Sequence, residues 1–192
     1  MTTVLVLGGA RSGKSAYAER LLAGREAVTY VAPGPVPGHG DTEWAARVRA
    51  HRTRRPAAWT TLETADVPGA LADAGPGDAL LVDCLGTWLT RLVDDARAWD
   101  DAGRARAEIG AGIRRLVASV EQTRADVVLV SNEVGSGVVP ATPSGRVFRD
   151  GLGRANAAVA DVADHAALVV AGRVLDLTGV PRLDDAPRFG LS

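Results

Sequence analysis

Residues 8–15 read Gly8-Gly9-Ala10-Arg11-Ser12-Gly13-Lys14-Ser15 and meet the pattern G-x-x-x-x-G-K-[ST]. A loop of this kind turns backbone N–H groups toward phosphate oxygens, and the helix that follows adds positive potential. Lys14 can reach β- and γ-phosphates as a compact point charge, and the Ser15 hydroxyl is a ligand for Mg²⁺. The pattern implies ATP or GTP as substrate. Lysine and arginine together number 22, and Lys14 is the one lysine among them. Elsewhere positive charge is arginine, so the exception falls where a broad, planar guanidinium would not fit the loop.

A phosphate loop needs a carboxylate to hold the magnesium or its water shell. Asp83 ends the apolar run Leu80-Leu81-Val82, which places it at the carboxyl edge of a parallel sheet, where such sheets bind ligands. Asn132 and Glu133 end the next strong apolar run in the same way. A third feature is His51, set among Arg47, Arg49, Arg52, Arg54 and Arg55, with Glu63 downstream. Arg47 lies one helical turn before it, on the same face. Two readings stand side by side. One is a solvated basic helix with an incidental histidine. The other is a nucleophilic histidine ringed by arginines that grip a triphosphate, the positive charge keeping the imidazole neutral. His39 sits in a Pro/Gly loop, and His165 is placed near a helix end, where a cation suits the dipole.

The elements that must position these groups follow from periodicity. Strands are predicted over 3–7 (TVLVL), 27–32, 59–62, 78–82 and 126–131. Helices are predicted over 14–22, 42–52, 85–93, 104–123 and 146–165, with Gly24 as a C-cap of the first. Residues 33–40 form a Pro/Gly loop, 132–137 a glycine-rich turn and 97–106 a polar surface connection. Runs 167–171 and 174–177 flank Gly172-Arg173 as a closing hairpin. The fold class is α/β: a mostly parallel sheet with helices on both faces and an antiparallel hairpin at its end. One nucleotide-binding domain over 1–192 is expected, with 178–192 as an irregular tail.

Bulk properties exclude several classes. The net charge of −1 argues against a nucleic-acid coat or an anionic membrane surface. The single cysteine, Cys84, rules out an internal disulfide, so no oxidising compartment is needed. No signal segment is visible and no apolar stretch reaches the roughly 20 residues of a membrane span. The expectation is a soluble cytoplasmic protein.

Four blocks together resemble one family. They are Gly8–Ser15, the stretch E-W-A-A-R…H-R-x-x-R-P-x-x-W-x-T-x-E over 43–63, L-V-D-C-L-G-T-W-L over 81–89, and VVLVSNEVGSGVVP…R-x-F-R-D over 127–150. The family is the bifunctional adenosylcobinamide kinase / adenosylcobinamide-phosphate guanylyltransferase of cobalamin synthesis, and the likeness runs from about residue 3 to about 177. It implies a RecA-like phosphate-loop sheet, a homotrimer and a corrinoid substrate. It implies phosphorylation of adenosylcobinamide and then transfer of GMP from GTP through a guanylyl-histidine. By motif position that histidine is His51. Gly8–Ser15 carry over as the phosphate cradle, and Arg47, Arg52 and Glu63 as nucleotide contacts. Asp83 falls where the family has an acidic residue, often glutamate, so here it is one methylene shorter. The 33–40 loop is longer than usual, and Trp44 stands where methionine is common.

On the residues alone, two other readings stay open. One is a small-molecule kinase without guanylyl transfer, with His51 structural. The other is a nucleotide-dependent switch with no small-molecule acceptor. The choice of ATP or GTP as phosphoryl donor and the roles of Glu133, Arg146, Arg149 and Asp150 stay open too.

Overall fold

The computed structural model describes residues 1–35 and 42–186, apart from the side chains of Glu43 and Arg47. The 33–40 loop beyond Pro35, His39 and the Arg47 side chain therefore lie outside the described residues.

Among the described residues, seven strands form one sheet. They are β1 (Thr3–Gly8), β2 (Thr29–Ala32), β3 (Thr60–Glu63), β4 (Ala79–Asp83), β5 (Asp126–Asn132), β6 (His165–Val170) and β7 (Arg173–Asp176). Their order is β3-β2-β4-β5-β1-β6-β7. Every pairing is parallel except β6 with β7, which closes the sheet as the expected antiparallel hairpin. The helices are α1 (Lys14–Leu21), α2 (Thr42–Arg54), α3 (Val67–Asp73), α4 (Leu85–Asp95), α5 (Ala102–Gln122) and α6 (Pro143–Val162).

The central strands are apolar through their middles, over 4–7, 79–82 and 127–130, because both faces are covered. Alternate residues feed two cores. Leu5, Leu80, Val82, Val127 and Leu129 meet residues of α3, α4, α5 and α6 on one face. Val6, Leu81, Val128 and Val130 meet Ala18 of α1 with Tyr30 and Trp59 on the other. One strand, β5, separates the strand that leads into the phosphate loop from the strand that ends at Asp83.

Several boundaries differ from expectation. The last helix stops at Val162, so His165 opens strand β6 and sits at no helix end. The cause is a long-range bond pair: the Asp164 carboxylate accepts from Thr3 N at 2.7 Å and Thr3 Oγ1 at 2.9 Å, drawing the chain into register beside β1. Helix α5 begins at Ala102, inside the expected connection, because Asp101 caps it by accepting from Gly103 N and Arg104 N, each at 3.0 Å. Helix α3 is not among the elements expected from sequence. Pro68 suits the first turn of a helix, and the Asp66 carboxylate caps it through Gly69 N at 3.0 Å. Helix α1 ends with Leu22 as its cap residue, and Gly24 follows at φ 92°. Between 177 and 186 there are turns and no helix or strand.

Candidate active site

The loop after β1 is tight. A Cβ on Gly8 would lie 2.7 Å from the Val169 carbonyl oxygen and collide with Ser12 Oγ, so only glycine fits. Gly13 takes φ 98° as the N-cap of α1, and Arg11 takes φ 58°, a conformation non-glycine residues rarely adopt outside special sites. Ser12 N donates to the Gly9 carbonyl at 3.3 Å. Lys14 is 8% exposed, and its Nζ donates to the Gly9 carbonyl at 3.1 Å. Its charge is thus held across the loop. Ala10, Arg11 and Gly13 are exposed, while Ser15 is half-buried.

His51 sits on the last turn of α2, over the end of β4. Its Nδ1 lies 3.5 Å from Asp83 Oδ2 and 3.3 Å from Arg54 Nη2. One ring nitrogen can donate to the carboxylate or accept from the guanidinium, and not both. Arg54 is already engaged, since it gives Glu19 of α1 two bonds at 3.0 and 3.3 Å. The Glu19 bond in turn holds the Arg54 pKa up. The arrangement therefore favours Nδ1–H toward Asp83, which leaves the Nε2 lone pair outward. The His51 pKa is pushed below its ordinary value. Burial is the main cause, Asp83 opposes it, and Arg54 and Arg55 assist it. Sequence reasoning credited the arginines alone. Partial burial, more than the arginines, favours the neutral ring.

These groups share one cleft of about 290 Å³. Lys14, Ser15, His51, Arg52, Glu63, Asp83 and Asn132 all border it. Arg52 bonds Glu63 across the cleft wall. Apolar side chains border it too, among them Trp44, Val48 and Phe148. The Trp44 indole donates to the Pro35 carbonyl at 2.8 Å and lies so close over Gly34 that a Cβ there would sit 3.0 Å from the ring.

Over residues 4–177 the chain matches the family described as cobinamide kinase / cobinamide phosphate guanyltransferase. It belongs to that family. Three curated relatives agree. The bifunctional adenosylcobalamin biosynthesis protein CobU of Salmonella typhimurium is 42% identical over 177 residues, covering 88% of this chain and 96% of its own. CobU of Escherichia coli is 40% identical over the same shares. The bifunctional adenosylcobalamin biosynthesis protein CobP of Pseudomonas aeruginosa is 42% identical over 92% of this chain and 98% of its own.

In this cobinamide kinase / guanylyltransferase family member, the residues left open by sequence divide cleanly. Asn132 borders the cleft, backed by a buried pair in which Asn156 Nδ2 donates to its carbonyl at 3.0 Å and Asn156 Oδ1 accepts from Ser131 Oγ. Glu133 instead closes its own turn, accepting from Gly135 N at 2.6 Å. Arg146 clasps the loop before α6 through the Pro140 and Ala141 carbonyls at 2.9 and 2.8 Å. Arg149 pairs with its neighbour Asp150. Sequence reasoning missed Tyr30, Glu19 and Phe148. Tyr30 reads as one more apolar position of a strand, yet its hydroxyl donates to Asp83 Oδ2 at 3.2 Å. Phe148 carries a signal in the sequence, since it shares helical spacing with Leu152, Ala155 and Val159.

Proposed function

We propose that this enzyme phosphorylates the aminopropanol hydroxyl of adenosylcobinamide and then transfers GMP to the product through guanylyl-His51. The observation that carries the reading is the placement of His51, its Nδ1 3.5 Å from Asp83 Oδ2, in the same cleft as Lys14 and Ser15. In the first reaction the substrate hydroxyl oxygen attacks the γ-phosphorus of ATP or GTP, the bond to the β,γ-bridging oxygen breaks, the nucleoside diphosphate leaves and the hydroxyl proton passes to solvent. Lys14 exchanges the Gly9 carbonyl for phosphate oxygens and offsets the charge on the leaving group. In the second, His51 Nε2 attacks the α-phosphorus of GTP. The N–P bond forms, the bond to the bridging oxygen breaks, and pyrophosphate departs into the loop. Asp83 faces Nδ1–H and stabilises the positive charge that the ring acquires. An oxygen of cobinamide phosphate then attacks the same phosphorus, the N–P bond breaks, and His51 is restored.

Ser15 and Asp83 also fit a magnesium ion. Both border the cleft and offer hard oxygen donors, and among the described residues no group of three His, Cys, Asp or Glu side chains could cage a metal without help. Mg²⁺ suits such a sparse set, because it keeps waters and relies on one or two protein oxygens plus substrate phosphates. When bound it would supply charge neutralisation at the phosphate oxygens.

The test is incubation with Mg²⁺ and α-³²P-GTP, denaturation, and assay for acid-labile, base-stable label. The expected result is label on the wild-type protein and none on His51→Ala. Label that persists in His51→Ala removes His51 from the mechanism. No label on a wild-type protein that binds nucleotide leaves a kinase alone.

A further inference from the structure

We infer that Tyr30 is a positioning residue for the guanylyl-transfer step, acting through Asp83; this rests on the guanylyl-His51 reading above. Tyr30 lies on β2, immediately beside β4 in the sheet. It is buried, and its phenol is the hydrogen-bond donor to the Asp83 oxygen that faces His51, at 3.2 Å. A carboxylate at a strand end can turn about its own side-chain bonds. With one oxygen held by a buried donor, that freedom is lost, and the carboxylate faces the imidazole in one orientation.

The ring of Tyr30 works on the same histidine from a second direction. The Arg55 guanidinium carbon stands 3.6 Å above the ring centroid. Arg55 Nε in turn donates to the His51 carbonyl at 3.1 Å, and its Nη1 donates to Thr61 Oγ1 at 3.2 Å. One side chain therefore fixes the carboxylate opposite Nδ1 and, through Arg55, the backbone of the nucleophile itself. This matters because α2 buries none of its described side chains. Apolar packing alone does not place His51. Burial holds the Tyr30 hydroxyl in its neutral, donating form, with Asp83 reinforcing it. Misplacement of a nucleophile by a fraction of an ångström is costly in rate, while nucleotide affinity rests on the phosphate loop.

The experiment uses Tyr30→Phe, which removes one oxygen and keeps the ring under Arg55. Single-turnover labelling with α-³²P-GTP is followed as a function of GTP concentration. The expected result is a maximal labelling rate lowered roughly ten- to hundred-fold, the scale of a hydrogen bond to a charged group, with half-saturation by GTP unchanged. The same substitution is then made in an Asp83→Ala background. If Tyr30 acts through Asp83, it costs nothing further there. A thermal melt of each variant shows that the compared proteins are folded. Three outcomes overturn the inference: wild-type labelling in Tyr30→Phe, a loss carried by GTP half-saturation, or an equal loss with Asp83 already absent. An unlabelled wild-type protein would instead overturn the histidine reading, and this inference with it.

Discussion

Helix α5 sets Ala105, Ile109, Gly112, Leu116 and Val120 along one stripe, and all five are buried. It crosses α4 so closely that a Cβ on Gly112 would run into Leu92. Helix α2 buries none of its described side chains. Its C-terminal end is held by Arg52 on Glu63, Arg54 on Glu19, and Arg55 on the Tyr30 ring just past the helix. The first helix is fixed by shape and the second by directed polar contacts. The difference teaches where this chain keeps its rigidity and where it keeps its chemistry. Close packing tolerates no shift, while polar tethers set the distance and charge around a reactive ring.

Substitutions can break that division from either side. The largest effect is expected for His51→Ala, which should lower guanylyl labelling by about a thousand-fold or more, as loss of a nucleophile does. The melting temperature should barely move, because the ring belongs to no apolar core. A large drop in melting temperature would show that α2 is structural after all. Trp88→Ala inverts the pattern. Trp88 is fully buried between α4 and α5, so chemical denaturation should report a loss of about 3–5 kcal/mol. Labelling per folded molecule should stay near wild type, and a rate that fell with stability would join the two regions into one.

The pH profile sharpens the comparison. The neutral ring is the reactive form, and burial lowers the His51 pKa below its ordinary value of about 6.5. Labelling should therefore be flat from neutral pH upward and fall on the acid side, with its midpoint under about 6.5. A midpoint above that value would mean that the Asp83 charge outweighs burial. The smallest effect is expected at a tether. Glu19→Gln removes the negative charge opposite an Arg54 that is 44% exposed, so its cost to stability should be at most about 1 kcal/mol. Its labelling rate should become less sensitive to added salt than the wild type's, which a salt titration measures.

Much of this was legible in the residues. The loop at 8–15, the apolar runs that became β1, β4 and β5, and the hairpin at the chain's end all announce themselves by local pattern. Trp44 and Val48 stand four residues apart, which puts them on one helix face, and both border the cleft. What escaped depends on partners far away in the chain. His165 looked helical because the apolar stripe before it continues, and only Thr3, 161 residues from Asp164, ends the helix where it does. Tyr30 looked like core because a hydroxyl's partner cannot be read from a strand pattern. Asp83 is 53 residues away from it. Glu19 sits 35 residues from Arg54 and gave no sign of meeting it.

The buried amine of the phosphate loop has a practical consequence. With arginine used everywhere else, the chain offers acylating reagents one side-chain primary amine besides its amino terminus. That amine is 8% exposed and already bonded to a carbonyl, so the amino terminus reacts first. A mass shift on Lys14 then reports, without any engineered probe, whether the loop is open or gripping a polyphosphate.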